Sequence, residues 1–357
     1  MLASSSTLSE PLLSAPVRPQ LKPCAWVIAI APAIIAAALL LSYLVSGEYL
    51  FVQLVHFDET HLMRPIALPR GGMGAGLPMS FAAVAPVADG SSLTPVVFLH
   101  GMGDAGSNPG MQSLCQTARD SYPGMYVVCA NVANDLSSIT TPLAEQIEEF
   151  ARSVQADPKL KDGFHAVGLS TGGLVLRGYV ETKSHEASPP IKRLISVCAP
   201  HAGIAACPSS SLFKLVCPLW RLAPYTARLA FADYWKDPSD TATYLERSRW
   251  LADINNERVH KNAEYKRRMS TLERYVLIEA TNDTTISPHV SESHGYFDPL
   301  SAETIQPLKQ TEGYRQDFIG LKTLDESGRL NQLQYPGEHL KFTDEFWANV
   351  VLPHLGE

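Results

Sequence analysis

The chain has 357 residues, 45% hydrophobic and 18% charged, an ordinary globular composition that excludes a disordered chain. Its formal net charge of -7, with no basic stripe along it, excludes nucleic acid as the partner. Six cysteines without a CxxC pair exclude a zinc site of the usual spacing, and no other metal or cofactor motif is present.

Residues 1–23 are polar and rich in Ser, Pro and Leu, which predicts a flexible tail with Arg18 and Lys22 at its end. Residues 24–46 follow without a charge, flanked by Trp26 and Tyr43. About 20 apolar residues span a bilayer, and aromatic rings anchor at its interfaces. The run reads as a transmembrane signal anchor or, alternatively, a cleaved signal peptide; its length favours the anchor. Either way the basic flank stays in the cytosol and everything after Ser46 is lumenal or outside. Residues 47–94 hold glycine, alanine and proline clusters and read as a tether. The glycine run from Arg70 to Gly76 has no strand before it and no helix after it, so it is not a phosphate loop.

The folded domain is expected over 95–357. Val96–His100 is a short buried strand, Met111–Arg119 a helix and Met125–Cys129 a strand. Leu143–Val154 has Leu143, Ile147, Phe150 and Val154 at helical spacing. Phe164–Leu169 is a strand, Gly173–Thr182 a helix and Ile191–Cys198 another strand. This alternation predicts a mostly parallel central sheet flanked by helices. Residues 202–270 break the alternation with Pro, Trp and Tyr and read as an inserted helical cap. Its run of Leu212, Phe213, Leu215, Val216, Leu219 and Trp220 fits either packing or an acyl groove. Tyr275–Ala280 resumes the sheet, residues 284–338 read as irregular with a turn at Gly328, and Asp344–Leu352 reads as a last helix. Cys198 reads as a buried small residue, while Cys207 with Cys217, or Cys115 with Cys129, are candidate pairs.

One stretch carries chemistry. Gly168-Leu169-Ser170-Thr171-Gly172 lies between an apolar strand and a helical pattern, the context of a nucleophile elbow. There a serine sits on a strained turn that lifts its hydroxyl off the sheet, and glycines two residues away make room. The serine needs a base, and the base an orienting carboxylate, in the chain order Ser, Asp or Glu, His. Asp283 follows the strand after the cap, and His339 lies in the loop before the last helix. Asp298, Asp317, His289, His294 and His354 fit those positions less well, and His201 fits the wall of a site better than its base. The oxyanion hole takes one N–H from Thr171 and one from the loop His100-Gly101-Met102-Gly103-Asp104, with Met102 the candidate.

The same domain resembles the palmitoyl-protein thioesterases. The likeness rests on His100-Gly101-Met102-Gly103-Asp104, Gly168-Leu169-Ser170 with Gly172-Gly173, and Leu194-Ile195-Ser196-Val197. It continues in Tyr234-Trp235-Lys236-Asp237-Pro238, Leu251-Ala252-Asp253-Ile254-Asn255-Asn256-Glu257, Asn282-Asp283, Gly320-Leu321-Lys322 and Gly337-Glu338-His339-Leu340. It covers almost all of the domain and none of residues 1–94.

The resemblance implies an α/β-hydrolase fold and a serine hydrolase that removes long fatty acyl groups from cysteine. Its nucleophile, acid and base fall on Ser170, Asp283 and His339, and a disulfide on Cys207 and Cys217. It implies no cofactor, and partners that are S-palmitoylated proteins or other acyl thioesters. The location implied is the secretory pathway or lysosome lumen; the anchor-like run 24–46, which departs from the family's cleaved signal, would hold the chain at the membrane as read from its own residues. An oxygen-ester lipase with the same triad, or an inactive acyl-binding relative, are the alternatives. The chain departs from the family at Thr171, where glutamine is usual, and at Ala105 and Gly106, which replace a cysteine pair. Asn282-Asp283-Thr284 is a glycosylation sequon beside the expected acid.

Overall fold

The computed structural model describes residues 93–184, 188–207, 224–226 and 228–356. The expected span 24–46, the tail, residues 47–92 of the tether, Cys217 and the apolar cap residues Leu212 to Trp220 lie outside the described residues. Among the described residues no helix is long and apolar enough to cross a membrane.

Six strands form one sheet: β1 (Val96–Leu99), β2 (Val127–Ala130), β3 (Phe164–Leu169), β4 (Ile191–Val197), β5 (Arg274–Ala280) and, last in the sheet, Leu330–Tyr335. A separate antiparallel pair, β6 (Tyr296–Asp298) and β7 (Ser301–Gln306), precedes that last strand, β8. The order is β2-β1-β3-β4-β5-β8, and every pair in it is parallel. The central strands are largely apolar because both faces are covered. Val97, Leu99, Ala166, Leu194 and Leu277 pack into one cluster, and Val96, Phe98, Val167, Ile195 and Val276 into the other. This is the α/β-hydrolase fold.

Four helices matter for the site and its support. Helix α1 (Pro109–Ser121) packs on the second cluster through Met111, Leu114, Cys115 and Ala118. Helix α2 (Leu143–Ala156) buries the predicted Leu143, Ile147, Phe150 and Val154. Its first N–H is capped from the inserted region, where Asp233 Oδ2 accepts from Leu143 N at 2.8 Å. Helix α3 (Thr171–Thr182) follows β3 and is buried on all sides. Helix α4 (Ala263–Met269) closes the described part of the cap.

The sequence reading needs correction in two places. Residues 284–338 are not irregular. They hold the β6–β7 pair and β8, the edge strand of the sheet. In β8 only Leu330 and Tyr335 are fully buried, and Asn331, Gln332 and Gln334 mask the strand pattern. Within the inserted cap, Arg247–Met269 holds two short helices, Leu251–Ile254 and α4. Between them Asn256 turns to φ 53, its amide donating to Asn262 O and Phe318 O and its oxygen accepting from Asn262 N. Such local bonds compete with a helix. The last helix is interrupted, with a π turn over Trp347–Val351 between Asp344–Phe346 and Pro353–Gly356.

Cys115 and Cys129 form a disulfide that ties α1 to β2, with a Cα–Cα distance of 6.2 Å. Cys207 is also disulfide-bonded, and its expected partner Cys217 lies outside the described residues. Cys198 is free and buried. Replacing both Cys115 and Cys129 by serine reopens a loop of sequence separation 14. The expected loss is roughly 3 kcal/mol of unfolding free energy, read from a urea melt. An unchanged midpoint contradicts a stabilising role.

Candidate active site

Ser170, Asp283 and His339 lie just beyond the C-terminal ends of three parallel strands, β3, β5 and β8. Because β3 and β5 flank β4 and β8 adjoins β5, the loops that carry the three residues converge at one end of the sheet. Ligand sites of open parallel sheets collect at this end.

Ser170 has φ 50 and ψ -123, a conformation that a non-glycine residue adopts only under constraint. The constraint is tight packing where β3 turns into α3. A Cβ on Gly168 would lie 2.5 Å from Gly173 N, and one on Gly172 would lie 2.4 Å from His100 O. Those contacts are with backbone, which cannot step aside, so the turn requires glycine at both positions. Ser170 N donates to Val197 O at 2.8 Å, which holds the turn against β4.

The structure brings the three residues into one hydrogen-bonded chain. His339 Nε2 lies 2.9 Å from Ser170 Oγ, and Nδ1 lies 2.5 Å from Asp283 Oδ2. With the proton on Nδ1 donated to the carboxylate, Nε2 is left as the acceptor that faces the serine hydroxyl. Asp283 Oδ1 accepts from Thr285 N at 2.6 Å and Ile286 N at 2.9 Å, so neither oxygen is idle. The Asp283 side chain has no exposure, whereas that of His339 is 16% exposed, so the orienting end is dry and the reacting end reachable. Burial pulls the Asp283 carboxyl up. The His339 hydrogen bond and charge, a bond from Glu292 and the Ile286 N–H outweigh it, and the net shift is downward.

The loop after β1 abuts the serine. A Cβ on Gly101 would lie 3.1 Å from Ser170 Cβ and 3.8 Å from its Oγ. Met102 directly follows Gly101 in the chain, and Gly103 N donates to Ser138 Oγ at 2.6 Å, which fastens the loop. Thr171 is the first residue of α3, where the opening N–H groups have no acceptor within the helix. Both expected oxyanion donors thus lie beside Ser170. Tyr234 ties them together: its hydroxyl is 3.5 Å from Thr171 Oγ1 and 3.8 Å from Met102 Sδ. The residues around Tyr234 are part of the family likeness, but only the fold places its hydroxyl here.

The rival residues go elsewhere. His201 is fully buried, 2.7 Å from Ser196 Oγ and 3.1 Å from Tyr275 OH, and stacks on His294 with ring centres 4.6 Å apart. Burial first, then neighbouring positive charge, holds both imidazoles well below their ordinary range, so they pack as neutral rings. His289 pairs with Glu279 at 2.9 Å, and Asp317 Oδ1 accepts from Lys322 N at 2.9 Å. Asp298 is in β6, and His354 is in the last helical turn. A cavity of about 340 Å³ lined by Lys236, Tyr244, Glu257, Tyr296 and Phe318 includes none of Ser170, Asp283 and His339. Cys198, Asp283, Glu292 and His339 have donor atoms within 4.8 Å of one another, a cluster that overlaps the hydrogen-bonded chain. Glu292 had no signal in the sequence, because only the turn His289–Ser293, folded back on β5, buries it there.

A family model described as palmitoyl protein thioesterase matches residues 95–339. The chain belongs to the palmitoyl-protein thioesterase family. Palmitoyl-protein thioesterase 3 of Dictyostelium discoideum is 36% identical over 277 residues, 74% of this chain and 93% of the relative. Palmitoyl-protein thioesterase 1 of Caenorhabditis elegans is 34% identical over 275 residues, 72% of this chain and 90% of the relative. Lysosomal thioesterase PPT2 of Rattus norvegicus is 29% identical over 264 residues, 71% of this chain and 84% of the relative. Membership of the palmitoyl-protein thioesterase family makes the chain a thioester hydrolase. It also agrees with the fold class and with the match over almost all of the folded domain.

Proposed function

We propose that this chain removes long-chain fatty acyl groups such as palmitate from S-acylated cysteine, with Ser170, His339 and Asp283 as a catalytic triad. The hydrogen-bonded order Ser170–His339–Asp283 carries the reading. Ser170 Oγ attacks the thioester carbonyl while His339 Nε2 takes its proton. The tetrahedral oxyanion sits on the N–H groups of Met102 and Thr171 and collapses to expel the cysteine thiolate, leaving an acyl-serine. A thiolate leaves readily, so acylation needs little general acid help. The departing thiolate takes the proton from His339, which leaves the imidazole neutral; His339 then takes a proton from the water that attacks the acyl-serine and returns it to Ser170 Oγ as the fatty acid leaves. Asp283 holds the imidazole in the required tautomer throughout. No step calls for a cofactor or a metal.

The name of the rat relative supports a lysosomal or other secretory lumen, with residues 24–46 serving as anchor or cleaved signal. The depressed Asp283 carboxyl suits that location, since it stays charged in an acidic lumen. Asn282 is exposed, so a glycan on it is sterically open. The mature N-terminal residue decides between anchor and cleaved signal.

The substrate class is tested by comparing a palmitoyl-thioester peptide with the matching oxygen ester of equal chain length. The expected kcat/KM for the thioester exceeds that for the oxygen ester by about 100-fold, roughly 2.7 kcal/mol of transition-state free energy. Equal rates, or preference for the oxygen ester, make the enzyme a lipase or esterase instead. Absence of labelling of Ser170 by a fluorophosphonate, with acyl binding kept, makes it an inactive acyl-binding relative.

A further inference from the structure

Behind the triad lies a second carboxyl that the mechanism above does not use. Glu292 is fully buried on the turn His289–Ser293, and its Oε2 accepts from Ala280 N, at the end of β5, at 2.8 Å. Its Oε1 is buried and accepts no hydrogen bond from the described residues. Yet a Glu292 oxygen lies within 4.8 Å of donor atoms of Asp283, His339 and Cys198. Two ionised carboxylates so placed can only repel, because both are acceptors. One proton on Glu292 turns the contact into a hydrogen bond and removes the orphaned atom.

We infer that Glu292 is a positioning residue: a neutral carboxylic acid that donates to Asp283 and keeps a single negative charge behind His339. The inference rests on the triad proposed above. Every element packed around Glu292 agrees with it. On β5, Glu279 is a further carboxylate. After β4, the free thiol of Cys198 lies 3.1 Å from Tyr335 OH of β8. On its own turn, His289 is engaged with Glu279 rather than with Glu292. The strongest charged neighbours of Glu292 are thus acidic. Burial, then the hydrogen bond to Asp283 and its charge, push the Glu292 carboxyl well above its ordinary range.

The arrangement has a consequence for acid pH. A neutral donor on Asp283 draws charge away from the oxygen that faces His339, so the carboxylate holds an imidazolium less tightly. Removing the donor reverses this and shifts the acid limb of the rate profile upward.

The orientation of Glu292 is set by the Ala280 N–H, which makes a clean pair of variants possible. In Glu292→Gln the amide oxygen stays on Ala280 N–H and the NH₂ faces Asp283, which reproduces the protonated acid. In Glu292→Leu the donor is gone. The experiment measures kcat and KM against pH on a palmitoyl-thioester peptide for the full-length wild type, both variants and Ser170→Ala. Glu292→Gln is expected to keep kcat within about threefold and an unshifted acid limb. Glu292→Leu is expected to lose about tenfold in kcat with little change in KM, its acid limb moving up by about half a pH unit or more.

A folded Glu292→Leu with the wild-type profile overturns the inference. So does a folded Glu292→Gln that is as impaired as Glu292→Leu, since the charge rather than the proton would then matter. Should Glu292→Leu fail to fold, Glu292→Gln decides alone: a wild-type profile supports a neutral donor, and a lost or shifted one overturns it. Turnover retained by Ser170→Ala indicts the triad itself. A dead Ser170→Ala beside an unaffected Glu292→Leu indicts only Glu292.

Discussion

The Ser170→Ala variant is expected to fold normally and to hydrolyse a palmitoyl-thioester peptide about a million-fold more slowly than the wild type. In the proposed mechanism Ser170 Oγ is the atom that forms the covalent bond, and among the described residues no other nucleophile is placed to replace it. Cys198, the free thiol among the described residues, is buried and faces Tyr335. Burial holds that thiol well above its ordinary range, so it is not a thiolate at neutral or acid pH. The Met102 and Thr171 donors remain in the variant, so some residual rate above that in water is expected. A melting midpoint within the wild-type range separates lost chemistry from lost fold. Turnover within tenfold of wild type would remove Ser170 from the mechanism.

Asp283→Asn is expected to lower kcat by about 10⁴-fold while the fold survives. The structure makes the reason specific. Asp283 Oδ1 accepts two backbone N–H groups, from Thr285 and Ile286. An asparagine must keep its carbonyl oxygen there, or leave both donors facing an NH₂. Its amide nitrogen is then forced into the place of Oδ2, 2.5 Å from His339 Nδ1 in the wild type. A donor at that point requires Nδ1 to accept, so the imidazole proton moves to Nε2 and points at Ser170. The base becomes a donor to the group it should deprotonate. Steady-state kinetics, with fluorophosphonate labelling of Ser170 as a second readout, tests this, and a loss of less than tenfold contradicts it.

The same carboxylate sets a limit at low pH. Its ordinary value is 3.8, and the folded protein holds it lower. The stability it contributes is present above the unfolded value and is lost as pH falls through the folded one. Within an acidic lumen Asp283 therefore remains the charged partner of His339.

Residue order alone specified a good deal of this protein. The apolar runs at β1, β3, β4 and β5 are long enough and uniform enough to read as strands covered on both faces, and the spacing in α2 matches its buried stripe. The elbow was readable because its glycines answer a local steric demand, met within a few residues. Asp283 and His339 were readable for a related reason: each follows a strand, and parallel strands deliver their trailing loops to one end of the sheet.

What needed the tertiary structure is what depends on contacts between distant segments. β8 hid behind its amide residues, because an edge strand need not be apolar along its length. The place of Tyr234 against Thr171 and Met102 depends on how the cap docks on the core, which no local pattern encodes. Glu292 is the clearest case. In sequence it is one acidic residue among serines and histidines, as much at home in water as any other. Only the turn that folds it onto β5 takes its water away, and a buried carboxyl beside Asp283 has to be neutral where an exposed one would be charged.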